Sequence, residues 1–279
     1  MLAIIAGTGR LPGALSEKLT LAGKDYILCE IEGFEIENPC GAPVIRFRVE
    51  QLARFFATLK DKKVQEVVFA GAIHRPRIDP TAFDPETLKL APKFLAAMQG
   101  GDDTILRVVL SLFEDAGFTI RAAHEVSPDL LPATGVLTNV VPDEKDTADA
   151  ARAAEVTAAL GAADVGQGCV VQQGLVLACE TLPGTDWMLA QLANAPFLAR
   201  PDRSKGAGVF FKAPKPDQDR RVDLPIVGPV TIDAVSAAGL GGLVLEAGGV
   251  MIMEADVAIE KANAAGLFIW VRDNTTETA

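Results

Sequence analysis

The sequence predicts an α/β protein of two domains, a Rossmann-like parallel-sheet domain over residues 1–130 and a second α/β domain over residues 131–279. Three observations predict this. Apolar runs alternate with amphipathic segments through the first third of the chain, as in doubly wound parallel sheets. The alternation stops at "SPDLLPATG" (127–135), whose prolines and glycine are typical of a linker. It then resumes, and we expect a ligand cleft between the two domains.

The first domain contains continuously apolar runs, as expected for strands that helices cover on both faces. The predicted strands are 2–7, 25–33, 66–73 and 119–126, and the predicted helices are 11–23, 50–63 and 102–118. The last of these helices reaches Gly117, a residue suited to the left-handed conformation that ends many helices.

The second domain is predicted to begin with an alanine-rich helix near 146–160. A β-hairpin over 168–180 turns at Gly174. A helix over 185–195 has Thr185 or Asp186 as its N-cap. The remaining predicted elements are a helix at 231–240, one β run at 241–253, a helix at 254–266 and a strand at 267–271.

The net charge of −11 argues against non-specific binding to nucleic acid, which requires a positive field. The four cysteines include no C-x-x-C pair, which favours buried free thiols in a reducing cytosol. The N-terminus lacks the basic region of a signal peptide, and no window is long and apolar enough to span a bilayer. We therefore expect a cytoplasmic protein.

A glycine-rich loop, "AGTGRLPG", follows the first strand and contains Gly7, Gly9 and Gly13. Backbone N–H groups at such a position can bind an anion. The spacing is G-x-G-x-x-x-G rather than the dinucleotide fingerprint, and Glu30 is a poor match for the ribose-binding acid. The alternatives are a ligand-contacting loop, a tight turn and an NAD site.

A second loop, "AGAIHRP" (70–76), follows another predicted strand. In doubly wound sheets, ligands bind at the carboxyl ends of the strands. Gly71 and Ala72 would lie there, and Arg75 is a candidate phosphate contact. His74 is either structural or catalytic.

Acidic residues stand at two predicted helix starts. Asp102 and Asp103 either cap a helix or present a carboxylate to the cleft. Thr185 and Asp186, together with Glu180, either cap the next helix or supply oxygen ligands.

The most polar stretch is "FKAPKPDQDRRVDLPIVGP" (211–229), which we call the charged loop. Pro214, Pro216 and Pro225 prevent a helix from running through it. It carries the cations Lys212, Lys215, Arg220 and Arg221 and the carboxylates Asp217, Asp219 and Asp223. A solvated turn would explain these charges, but cations in a proline-stiffened loop after a strand also suit an anion clamp. We expect Asp223, which lies between apolar residues, to be partly buried.

Any metal is expected to be a hard cation with oxygen ligands. Two histidines cannot furnish a His-rich dinuclear site, and the cysteines lack zinc spacing. The expected ion is therefore Mg²⁺ or Mn²⁺, held by few protein groups together with substrate phosphates. Asp223 and Asp186 are the candidate ligands.

The same segments resemble the bacterial LpxI family. The matching stretches are "IAGTGRLP", "AGAIHRP", "GDDTILR", "DVGQGCVV", "ETLPGTD" and above all "KAPKPDQDRRVDLPIVGP". Family members are UDP-2,3-diacylglucosamine pyrophosphatases of lipid A biosynthesis, and the family's essential aspartate corresponds to Asp223. Two departures stand out, since "DLPIVG" replaces "DLPTIG" and "WMLAQL" follows "GTD".

The resemblance implies Mg²⁺-assisted hydrolysis to UMP and 2,3-diacylglucosamine 1-phosphate by a homodimer whose two domains clamp the lipid. Use of a membrane lipid implies transient docking at the inner face of the inner membrane. The segments that carry the resemblance contain the expected substrate-binding residues Gly9, Arg10, Leu11, Gly71, Ala72, Arg75, Asp103, Gln167, Thr185, Asp186 and Gln218.

Physical chemistry assigns roles to three residues of such a hydrolase. Lys212 and Lys215 would neutralise charge on the diphosphate oxygens. Asp223 would orient or deprotonate water, or hold the metal. Two other function classes are a non-catalytic binder of a nucleotide-linked lipid and an NAD-type oxidoreductase.

Overall fold

The computed structural model describes residues 1–73, 78–90, 102–195, 199–216 and 218–273. The side chains of Asp102 and Asp103 lie outside that description. The chain forms two compact units, Met1–Pro128 and Asp129–Ala279. The first contains a parallel sheet and the second a mixed sheet, so the predicted α/β class is confirmed.

The described part of the first unit is built on a five-stranded sheet in the order β3-β2-β1-β4-β5, with every neighbouring pair parallel. This is the order of the first five strands in the doubly wound dinucleotide-binding sheet. The strands are β1 Leu2–Ala6, β2 Tyr26–Ile31, β3 Val44–Phe47, β4 Glu66–Ala70 and β5 Thr119–Arg121. The helices are α1 Leu11–Leu21, α2 Leu52–Asp61, α3 Pro85–Leu88, α4 Asp102–Asp115 and α5 Ala123–Val126.

The core of this unit follows from sequence periodicity. All five residues of β1 are buried, as expected for a strand covered on both faces. Helix α2 buries Leu52, Phe55, Phe56 and Leu59, the spacing of one helical face. Phe55 stacks on Phe47 of β3 with ring centroids 3.8 Å apart, which ties that helix to the edge of the sheet.

One predicted strand of this unit needs correction, and one observed strand was not predicted. The strand expected over 119–126 ends at Arg121, and His124 lies in the short helix α5. The Glu125 carboxylate accepts a hydrogen bond of 2.9 Å from the Ala122 N–H, a capping contact that favours a helical turn. Strand β3 was not predicted, because it is an edge strand with an exposed Val44 at its start and a buried Phe47 at its end.

The second unit contains a six-stranded sheet in the order β6-β13-β11-β9-β7-β8 and a small β10-β12 pair. The strands are β6 Gly135–Val136, β7 Gly168–Gln172, β8 Leu175–Cys179, β9 Val209–Lys212, β10 Ile226–Val227, β11 Gly242–Glu246, β12 Met251–Ile252 and β13 Phe268–Arg272. The helices are α6 Glu144–Ala162, α7 Thr185–Ala193, α8 Pro229–Ala237 and α9 Ala255–Ala265.

Each face of this sheet packs against its own helices. Buried residues of α7, α8 and α9 cluster with Phe210 and Leu243 of the sheet. On the other face, Ala150 and Ala153 of α6 cluster with Phe211. The alanine-rich helix that the sequence predicted therefore packs on the sheet through small side chains.

The predicted hairpin is confirmed, and the predicted single β run is wrong. Strands β7 and β8 pair in antiparallel fashion through a two-residue turn in which Gln173 and Gly174 have φ of 51° and 76°. Positive φ at both positions is the signature of a type I′ turn. The run 241–253 instead divides into β11 and β12, because Gly248 (φ 65°) makes a turn.

The structure bears on the expected absence of a membrane-spanning helix and on the expected state of the cysteines. Among the helices of the described ranges, none is long and apolar enough to cross a membrane. The four cysteines carry free thiols, as expected; Cys29 and Cys169 are buried, but Cys179 is half-buried and Cys40 is exposed.

Candidate active site

The carboxyl edge of the second sheet gathers charged residues. Strands β9 and β11 are parallel, and β8 runs in the same direction because each of β8 and β9 is antiparallel to β7. Their carboxyl ends therefore meet at one edge. Lys212 ends β9, Glu246 ends β11, and Glu180 directly follows β8.

Lys212 is the centre of a buried polar network at this edge. Its side chain is only 4% exposed and that of Glu180 only 8%. The Lys212 ammonium donates to Glu180 Oε2 at 2.7 Å and to Thr185 Oγ1 at 2.6 Å. The Thr185 hydroxyl in turn donates to Glu180 Oε2 at 2.8 Å. The three side chains thus form a closed ring of hydrogen bonds.

The electrostatics of Lys212 follow from this burial. Desolvation lowers the pKa of Lys212, and the negative charges of Glu180 and Asp186 oppose that shift. A buried ammonium without a counter-ion is costly, so Glu180 compensates the charge of Lys212. Asp186 is exposed and contributes from the first turn of α7.

The network corrects the predicted cap of α7. The N-cap is Gly184, with φ of 87°, and Thr185 is the first helical residue. The Thr185 hydroxyl bonds to Glu180 and Lys212 rather than capping the helix. The prediction that Thr185 or Asp186 caps this helix is therefore wrong.

Two glycines of the segment "DVGQGCVV" allow the close approach that holds Glu180. A Cβ on Gly166 would lie 2.0 Å from the Glu180 carbonyl oxygen. The Glu180 N–H donates to the Gly168 carbonyl at 2.8 Å. Gly166 is thus explained by backbone packing, whereas a Cβ on Gly168 would first meet the Phe210 ring, at 2.8 Å.

The Gln218 side chain forms hydrogen bonds to two other residues of the charged loop. Gln218 Oε1 accepts a hydrogen bond of 3.0 Å from the Lys215 N–H, and Gln218 Nε2 donates to Asp223 Oδ2. Both polar ends of the amide therefore contact the loop, and one of them orients Asp223. The expectation that Asp223 is partly buried is wrong, since the residue is exposed.

Each cation of the charged loop lies beside a carboxylate. The pairs are Lys212–Glu180 at 2.7 Å, Lys215–Asp164 at 2.6 Å, Arg220–Glu246 at 3.2 Å and Arg221–Asp219 at 2.7 Å. The first of these pairs is buried, whereas the arginines are about half exposed. Asp217 lies outside the described residues.

Two prolines of the charged loop pack closely against glycines elsewhere in the second unit. A Cβ on Gly249 would lie 2.7 Å from Pro214 Cδ, and one on Gly161 would lie 3.0 Å from Pro216 Cδ. Pro214 and Pro216 therefore pack closely against other parts of the second unit, and the preorganised backbone that the proline content predicts stays a prediction.

Gln167 supplies a further polar group at this edge. Its carbonyl oxygen accepts from the Ala213 N–H at 3.0 Å. Its side-chain Oε1 is buried and has no hydrogen-bond partner among the described residues. Since a buried amide oxygen is usually paired, Gln167 is a candidate acceptor for a ligand N–H or O–H.

In the first unit, the loops after β1 and β4 pair with each other. Strand order reverses between these two strands, which is where ligands bind in open α/β sheets. The Thr8 N–H donates to Ala72 O at 2.8 Å, and the Ala72 N–H donates to Thr8 O at 2.9 Å. A Cβ on Gly71 (φ +86°) would lie 2.5 Å from Thr8 O. Gly71 is thus required by the loop pairing itself.

The other predicted residues of this region differ in what they can offer a ligand. A Cβ on Gly9 (φ +94°) would have no described atom within 4 Å, and Gly9 and Arg10 are exposed. Leu11 is buried at the start of α1, so its side chain belongs to the core. His74 and Arg75 lie outside the described residues, and of Asp103 only the backbone, at the start of α4, is described.

Sequence reasoning missed Asp164 and Glu246, and it named Glu180 as a candidate oxygen ligand without pairing it with Lys212. Glu180 stands directly after an apolar strand, a position at which an acid is a recognisable signal. Asp164 lies 51 residues before Lys215, and no local pattern connects them.

Comparison with known proteins identifies the family. The family model of the LpxI N-terminal domain matches residues 1–130, and that of the LpxI C-terminal domain matches residues 133–270.

The chain belongs to the LpxI family.

A curated LpxI from Caulobacter vibrioides, named UDP-2,3-diacylglucosamine pyrophosphatase, is 37% identical over 268 residues, which cover 96% of each chain. Among solved structures, CobK precorrin-6A reductase aligns over 100% of this chain and 89% of its own, with 16% identity and a TM-score of 0.34. A likeness at that level carries no argument, whereas the LpxI relative spans both units.

Proposed function

We propose that this protein hydrolyses the diphosphate of UDP-2,3-diacylglucosamine, releasing UMP and 2,3-diacylglucosamine 1-phosphate in lipid A biosynthesis. The observation that carries the proposal is the similarity, over 96% of the chain, to a relative named for this activity. The family's essential aspartate corresponds to Asp223, which lies in the charged loop beside Gln218.

In the proposed reaction, water attacks phosphorus and the P–O–P bridge breaks. Lys215 and Lys212 would offset negative charge that develops on the non-bridging oxygens. Asp223 is exposed and accepts a hydrogen bond from Gln218. It would orient the attacking water or accept its proton.

Mg²⁺, with Mn²⁺ as a substitute, is proposed as the cofactor. Among the described residues, no group of three or more His, Cys, Asp or Glu side chains could hold a metal ion. In this proposal the ion is bound mainly through substrate phosphates, with Asp223 and Asp186 as the candidate carboxylates. The ion would supply positive charge at the diphosphate.

We further propose a homodimer that acts at the inner face of the inner membrane. The homodimer follows from the resemblance to the LpxI family alone. The support for membrane contact is chemical, because a substrate with two acyl chains resides in a bilayer. The exposed Leu182 and Trp187 near the start of α7 are apolar groups that such a surface would tolerate.

The test uses the purified full-length protein with UDP-2,3-diacylglucosamine in mixed detergent micelles. We expect UMP by chromatography and a sugar-phosphate signal by ³¹P NMR with Mg²⁺, no turnover in excess EDTA, and recovery with Mn²⁺. Equal UMP release in EDTA would remove the metal from the proposal. Saturable lipid binding without any UMP would favour a non-catalytic binder instead.

A further inference from the structure

In the ring of hydrogen bonds around Lys212, a single carboxylate oxygen accepts two of the three bonds. Glu180 Oε2 accepts from both the Lys212 ammonium and the Thr185 hydroxyl. Lys212 also donates directly to Thr185. An ammonium has three N–H donors, and these two partners take two of them, which fixes the direction of the third.

Glu180 is itself held from the backbone. Its N–H donates to the Gly168 carbonyl, and a Cβ on Gly166 would lie 2.0 Å from its carbonyl oxygen. The carboxylate therefore starts from a fixed main-chain position. The ring joins the ends of β8 and β9 to the first residue of α7.

Stability alone does not explain such a ring. A buried ion pair gains little over apolar side chains of similar volume, because both charges lose their hydration. The buried pair also lies at the strand end that opens directly into the charged loop. A charge kept there at such a cost is better explained by a task that an apolar pair cannot perform.

We propose that Glu180 is a positioning residue for the reaction, which fixes the ammonium of Lys212 and the hydroxyl of Thr185 at the first turn of α7. Glu180 acts through Lys212 and does not contact the substrate. The catalytic consequence rests on the proposed function, in which Lys212 stabilises charge on the diphosphate. The ring itself is independent of that function.

Glu180→Gln keeps the size of the side chain and removes its charge. We expect kcat to fall about 100-fold, the cost of a misplaced catalytic group, with KM changed less than about threefold, because Lys212 acts on charge that develops in the transition state. Glu180→Asp retains the charge and should recover at least about tenfold of that loss. The matched control is Asp233→Asn, which removes an exposed carboxylate paired with Lys261 and should leave kcat unchanged.

A second measurement needs no turnover. In protein labelled with ¹⁵Nζ-lysine, we expect a protected ammonium signal that disappears in Lys212→Arg and broadens in Glu180→Gln. Should Glu180→Gln fail to fold, Thr185→Val removes the bridging hydroxyl without stranding a charge. It should shift the same signal and lower kcat about threefold to tenfold.

The outcomes of these experiments distinguish a failure of the proposed function from a failure of the positioning role of Glu180. A wild-type protein that releases no UMP contradicts the proposed function, whatever the ammonium signal does. An active wild type whose kcat survives Glu180→Gln, or survives Thr185→Val if the first variant does not fold, overturns the positioning role. A kcat loss in Glu180→Gln with no rescue by Glu180→Asp and an unchanged ammonium signal overturns it as well.

Discussion

Asp223→Ala should lower the rate of UMP release by about 100- to 10,000-fold, the usual contribution of a general acid–base group. The fold should remain intact, because Asp223 is exposed and its removal leaves no cavity. Its contact with Gln218 belongs to a loop that prolines already stiffen. Initial rates of UMP release and a thermal unfolding curve measure the two effects.

Asp233→Ala is the matched control for this change, since it also removes an exposed carboxylate of the second unit. It should behave as the wild type in both measurements. An Asp223→Ala variant that retains activity within about threefold of the wild type would exclude Asp223 from the chemistry.

Lys212→Met should affect stability and activity together. Methionine fills a similar volume but leaves Glu180, which is 8% exposed in its side chain, without its counter-ion. Breaking a buried pair from one side costs about 3–5 kcal/mol, so the free energy of unfolding should fall by about that amount. Turnover should fall about 100-fold or more, because a donor to the developing charge is gone.

The double variant Glu180→Gln, Lys212→Met separates the two effects. It removes both charges, so most of the lost stability should return, while activity should not. Urea unfolding and UMP release on the same preparations provide the comparison. Full stability in Lys212→Met alone would show that the pair is not strongly coupled. Full activity in the double variant would show that Lys212 is not part of the chemistry.

Local sequence patterns predicted the elements whose signal lies within about ten consecutive residues. Strand β1 is continuously apolar, α2 repeats its apolar residues at helical spacing, and the turn at Gly174 has positive φ. Each of these patterns reflects a backbone geometry that the residues themselves favour. The charged loop was recognised in the same way, from its prolines and charges.

Local patterns could not predict the contacts of the candidate site, because the partners are far apart in the sequence. Lys212 and Glu180 are 32 residues apart, and Lys215 and Asp164 are 51 apart. Strand order in the second sheet is not sequential, so no spacing in the chain reveals which strand ends become neighbours. The cap of α7 was predicted wrongly for this reason, because the hydroxyl of Thr185 bonds to Lys212 at the end of β9 and to Glu180, which follows β8.

Glycines show the same limit. Gly71 and Gly166 fall in segments that the sequence associates with substrate, yet their nearest atoms are backbone atoms of Thr8 and Glu180. A glycine admits a ligand or another stretch of backbone equally well. Only the fold distinguishes these two causes.

The most direct test of the central claim is hydrogen–deuterium exchange of Asp223→Ala with and without UDP-2,3-diacylglucosamine. If the carboxyl edge of the second sheet and the charged loop grip the diphosphate, peptides covering 180–186 and 209–223 will exchange more slowly with the lipid bound. Saturable binding of the lipid with no slowing in either segment would contradict the account.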